Sequence, residues 1–61
     1  MNKLEFITEL RDRLSGLPQG EVEERLSFYS EMIDDRMEDG VSEEEAVLAV
    51  GAVDEIAKQI I

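Results

Sequence analysis

The sequence predicts an all-α domain, a small bundle of about four helices of unequal length with one long central helix. Apolar residues recur at the i, i+3, i+4 and i+7 spacing of a helix through most of the chain. Glycines stand where that spacing breaks, and no stretch alternates between apolar and polar residues as a strand does. The 61 residues suffice for a single helical domain spanning 1–61.

The first helix is predicted over residues 3–15. Asn2, followed three residues later by Glu5, is a helix start of the capping-box type. Gly16 is expected to end the helix in the left-handed conformation. The apolar face of this helix is expected to comprise Leu4, Phe6, Ile7, Leu10 and Leu14.

The second helix, residues 18–39, is predicted to be the longest and the central one. A second apolar pair, Phe28 and Met32, lies about a third of a turn from its main apolar stripe. A helix with two apolar faces needs two sets of neighbours. The main stripe, which is expected to face the core, comprises Val22, Leu26, Tyr29, Ile33 and Met37.

The third and fourth helices are predicted to be short, over 43–50 and 54–60. Ser42 begins a full capping box for the third helix. Residues 46–50, AVLAV, are apolar on every side, which predicts a buried segment at the centre of the core. Asp54 is expected to cap the fourth helix. The apolar stripe of that helix comprises Val53, Ile56, Ala57 and Ile60.

The charge is strongly acidic and unevenly distributed. Sixteen acidic residues against six basic ones give a formal net charge of −10, and −9 of it lies within residues 21–45. Such a surface repels phosphate backbones and anionic lipids, which argues against direct nucleic-acid binding and favours basic partners. Four acids lie at the end of the long helix, where the helix dipole disfavours them: Asp34, Asp35, Glu38 and Asp39. Two interpretations stay open for them, a solvated acidic surface or a docking surface.

No catalytic, cofactor-binding or metal-binding residue is predicted. The chain has no histidine and no cysteine, which excludes a structural zinc site and removes the commonest catalytic base and a common nucleophile. A calcium loop counted from Asp35 fails, because Met37 and Ala46 fall where an EF-hand needs carboxylate ligands. We therefore expect a domain without enzyme activity.

The predicted partner-binding residues are Phe28, Met32, Asp34, Asp35, Glu38 and Asp39. The apolar pair would be buried by a partner, and the carboxylates would attract a basic one. In the alternative interpretation, the long helix pairs with a second copy of itself through Phe28 and Met32, which makes the domain a homo-oligomerisation module.

A cytoplasmic location is expected, because no signal peptide opens the chain and no apolar run approaches the roughly 18–20 residues of a membrane span. The apolar end, Gln59-Ile60-Ile61, is consistent with a domain cut from a longer, membrane-anchored protein. Any membrane contact would then involve residues outside this chain.

Motifs along the whole chain resemble those of the HAAS signalling domain family. They include Leu14-Ser15-Gly16-Leu17-Pro18 before the long helix, Gly40 to Ala46 (GVSEEEA) after it, and Glu55 to Lys58 (EIAK) near the end. The resemblance implies a helical cytoplasmic domain of bacterial membrane proteins of unknown function, often encoded beside PadR-like transcription regulators. It implies signalling through protein contacts and no catalytic residues.

One segment departs from the family pattern. The family usually has Leu-Gly-Ser-Pro-Glu-Glu-Ile, whereas residues 50–56 read Val-Gly-Ala-Val-Asp-Glu-Ile. The missing proline leaves the entry to the fourth helix less rigid, and two directions stay open for that helix, back onto the bundle or outward.

Taken together, the residues and the resemblance predict a non-enzymatic interaction domain. It would couple a membrane segment to a transcription regulator through its acidic helical surface. The predicted partner is a basic protein, such as a PadR-like regulator.

Overall fold

The computed structural model describes residues 1–60, and within them the chain forms helices and no strand. The predicted all-α class is confirmed. The helices are α1 (Lys3–Arg13), α2 (Gln19–Glu38), α3 (Glu43–Val50) and α4 (Val53–Ile60). Ile61, which belongs to the apolar end noted above, lies outside the described residues.

The predicted capping box at the start of α1 is confirmed. The Glu5 amide donates to the Asn2 side chain at 2.8 Å, and the Asn2 amide donates to the Glu5 carboxylate at 3.1 Å. The predicted end of α1 is wrong, because Gly16 does not have a positive φ. The chain instead turns through a 3.0 Å hydrogen bond from the Leu17 amide to the Leu14 carbonyl, which needs no left-handed residue.

Gly40 ends α2 as predicted, with φ at 95°. Its amide donates to the Met37 carbonyl at 3.1 Å, and the Val41 amide donates to the Arg36 carbonyl at 3.2 Å. These two hydrogen bonds form a Schellman motif, in which the residue after the glycine turns inward. Val41 accordingly packs against the core.

The starts of α3 and α4 differ from their predictions. Ser42 accepts a hydrogen bond from the Glu45 amide at 3.3 Å, but within residues 1–60 only this half of the capping box forms. Helix α4 begins at Val53, so Asp54 lies in its first turn and is not the cap. Gly51, with φ at 120°, turns the chain between these two helices. Helix α4 then packs back onto α1, so of the two directions left open for the fourth helix it takes the one back onto the bundle.

The helix at the centre of the bundle is α1. It contacts α2, α3 and α4, whereas α2 contacts only α1 and α3 in the described part of the chain. Three α1 side chains, Phe6, Leu10 and Leu14, are fully buried at 0% exposure. The prediction of α2 as the central helix is therefore corrected. Helix α2 is the longest, with 20 residues, but only one of its sides is covered.

The rest of the core comes from one face of each remaining helix. It comprises Val22, Leu26 and Ile33 of α2, Ala46 and Val47 of α3, and Val53, Ile56 and Ala57 of α4. Partly buried residues complete it: Ile7, Leu17, Tyr29, Val41, Val50 and Ile60.

Three apolar residues that were expected in the core are exposed. Leu4 is 74% exposed, Leu48 is 77% exposed and Met37 is 39% exposed. Helix α3 has α1 and α2 as neighbours on one side only, so the all-round burial expected for residues 46–50 is not possible. Ala46 and Val47 face the core, and Leu48 faces solvent.

Replacement of Leu10 by alanine should lower the free energy of unfolding by about 2–5 kcal/mol, because a fully buried side chain is removed from the helix that touches all others. The same change at Leu4, on the exposed side of α1, should cost less than about 0.5 kcal/mol. Urea unfolding followed by circular dichroism measures both values. Equal losses would contradict the assigned orientation of α1.

Glycine-to-alanine changes at two positions should have opposite signs. At Gly40, the positive φ should make alanine cost about 1–2 kcal/mol. At Gly20, in the first turn of α2, nothing lies within 4 Å of an added methyl group. Alanine there should raise the free energy of unfolding by about 0.4–1 kcal/mol. Thermal unfolding of the two variants checks this, and a gain at Gly40 would refute the turn geometry.

Candidate interaction surface

About a third of a turn from its buried residues, α2 carries a continuous row of mostly exposed side chains, here called the outer stripe. Its members alternate at spacings of four and three residues, which places them on one side of a helix. They are Glu21, Arg25, Phe28, Met32, Asp35 and Asp39. All are exposed except Met32, which is half-buried. Within residues 1–60, this row is therefore left largely open to solvent.

Phe28 is the apolar centre of the outer stripe and is 58% exposed. Its ring contacts the Tyr29 ring edge-on, with centroids 5.2 Å apart and an interplanar angle of 74°. Tyr29 in turn contacts the fully buried ring of Phe6 at 6.4 Å and 68°. An aromatic row therefore runs from the core to the surface. It supports Phe28 from one side and leaves most of its ring in water.

A shallow hollow lies beside Phe28. Its lining residues, apart from Tyr29, stand at positions i, i+3, i+4 and i+7 of one helix: Glu21, Glu24, Arg25 and Phe28. Two carboxylates and a guanidinium form its rim, and the aromatic rings form its apolar side. The hollow can accept a side chain from a second protein surface, and the rim selects for a positively charged or amphipathic one.

The structure separates two of the six predicted partner-binding residues from the other four. Phe28, Met32, Asp35 and Asp39 share the outer stripe. Asp34 lies about 120° away around the helix and accepts a hydrogen bond from the Lys3 ammonium group at 2.8 Å. Glu38 is exposed on the flank between these two directions. Asp34 is therefore part of the α1–α2 contact.

The cations of α1 each pair with a carboxylate of another helix: Lys3 with Asp34, Arg11 with Glu23, and Arg13 with Asp54. Such exposed ion pairs contribute little to stability. Their larger consequence is the distribution of charge, because two of them neutralise the flank of α2 that faces α1. Within residues 1–60, no ion pair involves Asp35 or Asp39 of the outer stripe.

Glu43 has a role that its sequence position did not indicate. Its carboxylate accepts a hydrogen bond from the Lys3 amide at 2.7 Å, so a residue of α3 caps the first turn of α1. The two residues are 40 positions apart in sequence. A carboxylate at a helix N-terminus is stabilising, and this one also fixes the orientation of α3 on α1.

The HAAS family model matches residues 5–59, which is nearly the whole chain. The chain belongs to the HAAS family. The matched range begins in the first turn of α1 and includes the entire outer stripe and the starts of α2, α3 and α4. No curated protein and no solved structure matches the chain.

The described surface of this HAAS domain offers charge and apolar contact. Every buried side chain within residues 1–60 is apolar. In the same residues, no three carboxylates lie close enough together to hold a metal ion. None of the described helices has both the length and the apolar character needed to cross a membrane.

Neutralisation of two neighbouring carboxylates should change the stability of the HAAS domain in opposite directions. Asp34→Asn removes the partner of Lys3 and should lower stability by less than about 1 kcal/mol. Asp35→Asn removes a charge from the negative end of α2 and should raise stability slightly at low salt. Thermal unfolding at low and high salt measures both changes. A loss for Asp35→Asn as large as that for Asp34→Asn would contradict the division described above.

Proposed function

We propose that this HAAS domain is a non-enzymatic protein-interaction domain in signalling. It binds a basic region of a partner protein through the outer stripe of α2. The observation that carries the proposal is the exposed ring of Phe28 among carboxylates that form no ion pair within residues 1–60. In this proposal the domain lies in the cytoplasm and couples a membrane segment to a transcription regulator, for which a PadR-like regulator is the candidate from the family resemblance.

The charge supports a basic partner. Residues 21–45 have a net charge of −9, and the ion pairs from Lys3 and Arg11 reduce this to −7. Three of these seven charges belong to α3, and the other four belong to α2 and its C-cap residue Asp39. A field of this sign accelerates the encounter with a basic protein and opposes the approach of nucleic acid or anionic lipid.

The apolar side chains support a protein partner over small cations. Phe28 and Met32 are adjacent on the outer stripe, one exposed and one half-buried. Burial of a ring of this size in an interface contributes far more binding free energy than a rim ion pair. The carboxylates would then determine which partner associates with the domain, and burial of Phe28 would determine the dissociation rate.

Pairing of α2 with a second copy is disfavoured by the same charges. In an antiparallel pair, Arg25 of one copy could approach Asp35 of the other. However, the same register would place Glu21 of each copy opposite Asp39 of the other, and each copy would bring an outer stripe with a net charge of −2. Like charges across an interface are destabilising, so the stripe fits a partner of opposite charge better than itself.

Calorimetric titration of the domain with a PadR-like regulator encoded beside it should show binding that weakens as salt rises from about 0.05 M to 0.5 M. The double variant Asp35→Lys, Asp39→Lys should weaken binding at least about tenfold, mainly through the association rate.

The matched control is Glu44→Lys, Glu45→Lys, which makes the same change of net charge on α3. It should change the affinity much less than the variant on the outer stripe. Binding that is insensitive to salt, or equal losses of affinity for the two double variants, would refute the outer stripe as the binding surface. A stable dimer of the isolated domain at tens of micromolar in sedimentation would favour the alternative of self-association.

A further inference from the structure

We infer that the segment bound by the outer stripe is an amphipathic α-helix of the partner, with apolar side chains along one line and lysine or arginine on both sides of it. This inference rests on the proposed function and specifies the form of the basic region.

The hollow beside Phe28 has the geometry that receives a side chain of a second helix. Its rim residues stand at i, i+3, i+4 and i+7, which is the four-residue arrangement that accepts one side chain in knobs-into-holes packing. The residues one heptad further along have the same relation: Phe28, Glu31, Met32 and Asp35. Phe28 belongs to both sets.

The two sets are about 10.5 Å apart along α2, the rise of seven helical residues. A second helix at a shallow crossing angle presents apolar side chains at this repeat. A partner helix would therefore fill the two holes with apolar residues seven positions apart. A third apolar residue between these two would pack over Phe28.

Backbone hydrogen bonding favours a helix over an extended segment. The amides and carbonyls of α2 are bonded within the helix, so its outer side offers no backbone partners to an extended chain. An extended segment lying across Phe28 and Met32 would lose hydrogen bonds to water without replacing them. A helix brings its own backbone hydrogen bonds and loses none.

The charges around the two holes determine the rest of the partner helix. Glu21 and Glu24 border the first hole, and Glu31 and Asp35 border the second. Lysine or arginine on either side of the apolar line would reach these carboxylates, and their methylene stems would cover the faces of the Phe28 ring. The complementary helix is therefore basic on both flanks.

Two synthetic peptides of identical composition test the inference, each with about 18 residues of leucine, lysine and alanine. One has leucines at the i, i+3, i+4 and i+7 spacing, and the other has the same residues in an order without a helical face. Fluorescence anisotropy with the 61-residue chain should show at least tenfold tighter binding of the first peptide. Circular dichroism should show that this peptide gains helix on binding.

Two protein variants locate the binding surface. Phe28→Ser should weaken binding of the amphipathic peptide about tenfold. Leu48→Ser removes an apolar side chain that is even more exposed, on α3, and should change the affinity less than about twofold.

Each contrary outcome has a defined meaning. Equal, salt-dependent affinities for the two peptides would overturn the helical form of the partner and leave the acidic binding surface standing. No binding of either peptide would overturn both proposals. Equal losses for Phe28→Ser and Leu48→Ser would overturn the assignment to the outer stripe. A dimer of the free domain that Phe28→Ser dissociates would assign the stripe to a second copy.

Discussion

Burial of Phe6, Leu10 and Leu14 on one short helix is the constraint on which the rest of the structure depends. All three are completely inaccessible, and α1 is the only described helix that touches the other three. A domain of this size buries about 60% of the surface that its unfolded chain exposes, so it has a single core and a thin margin of stability. Each of the other helices contributes to this core only the one face that packs against α1 or against a helix next to α1.

The uncovered side of α2 follows from this arrangement. Helix α2 is 20 residues long, but α1 and α3 are short and can cover only its inner face. Phe28 and Met32 were recognisable in the sequence as a second apolar pair, and the described bundle leaves Phe28 exposed and Met32 only half-buried.

The distribution of charge is also set by α1. Its three cations point to acids on α2 and α4, so the carboxylates nearest the core helix are paired. The amide of Lys3 is held by Glu43 and its ammonium group by Asp34, so one residue joins α1 to both α2 and α3. The acids of the outer stripe lie beyond the reach of these cations. Charge and exposed apolar surface therefore coincide on the same side of α2.

The sequence by itself determined the helical class, the approximate helix boundaries, the Asn2 cap and the Gly40 turn, because these depend on periodicity and on local hydrogen bonds. The family also follows from the sequence, through motifs matched along residues 5–59. Tertiary structure alone decided that α1 is the central helix, that Leu4 and Leu48 face solvent, and that Asp34 belongs to the α1–α2 contact. Those outcomes depend on how many neighbours each helix has and on its rotation against them. Both are set by packing between residues far apart in the chain, and the spacing of residues along one helix contains no information about either.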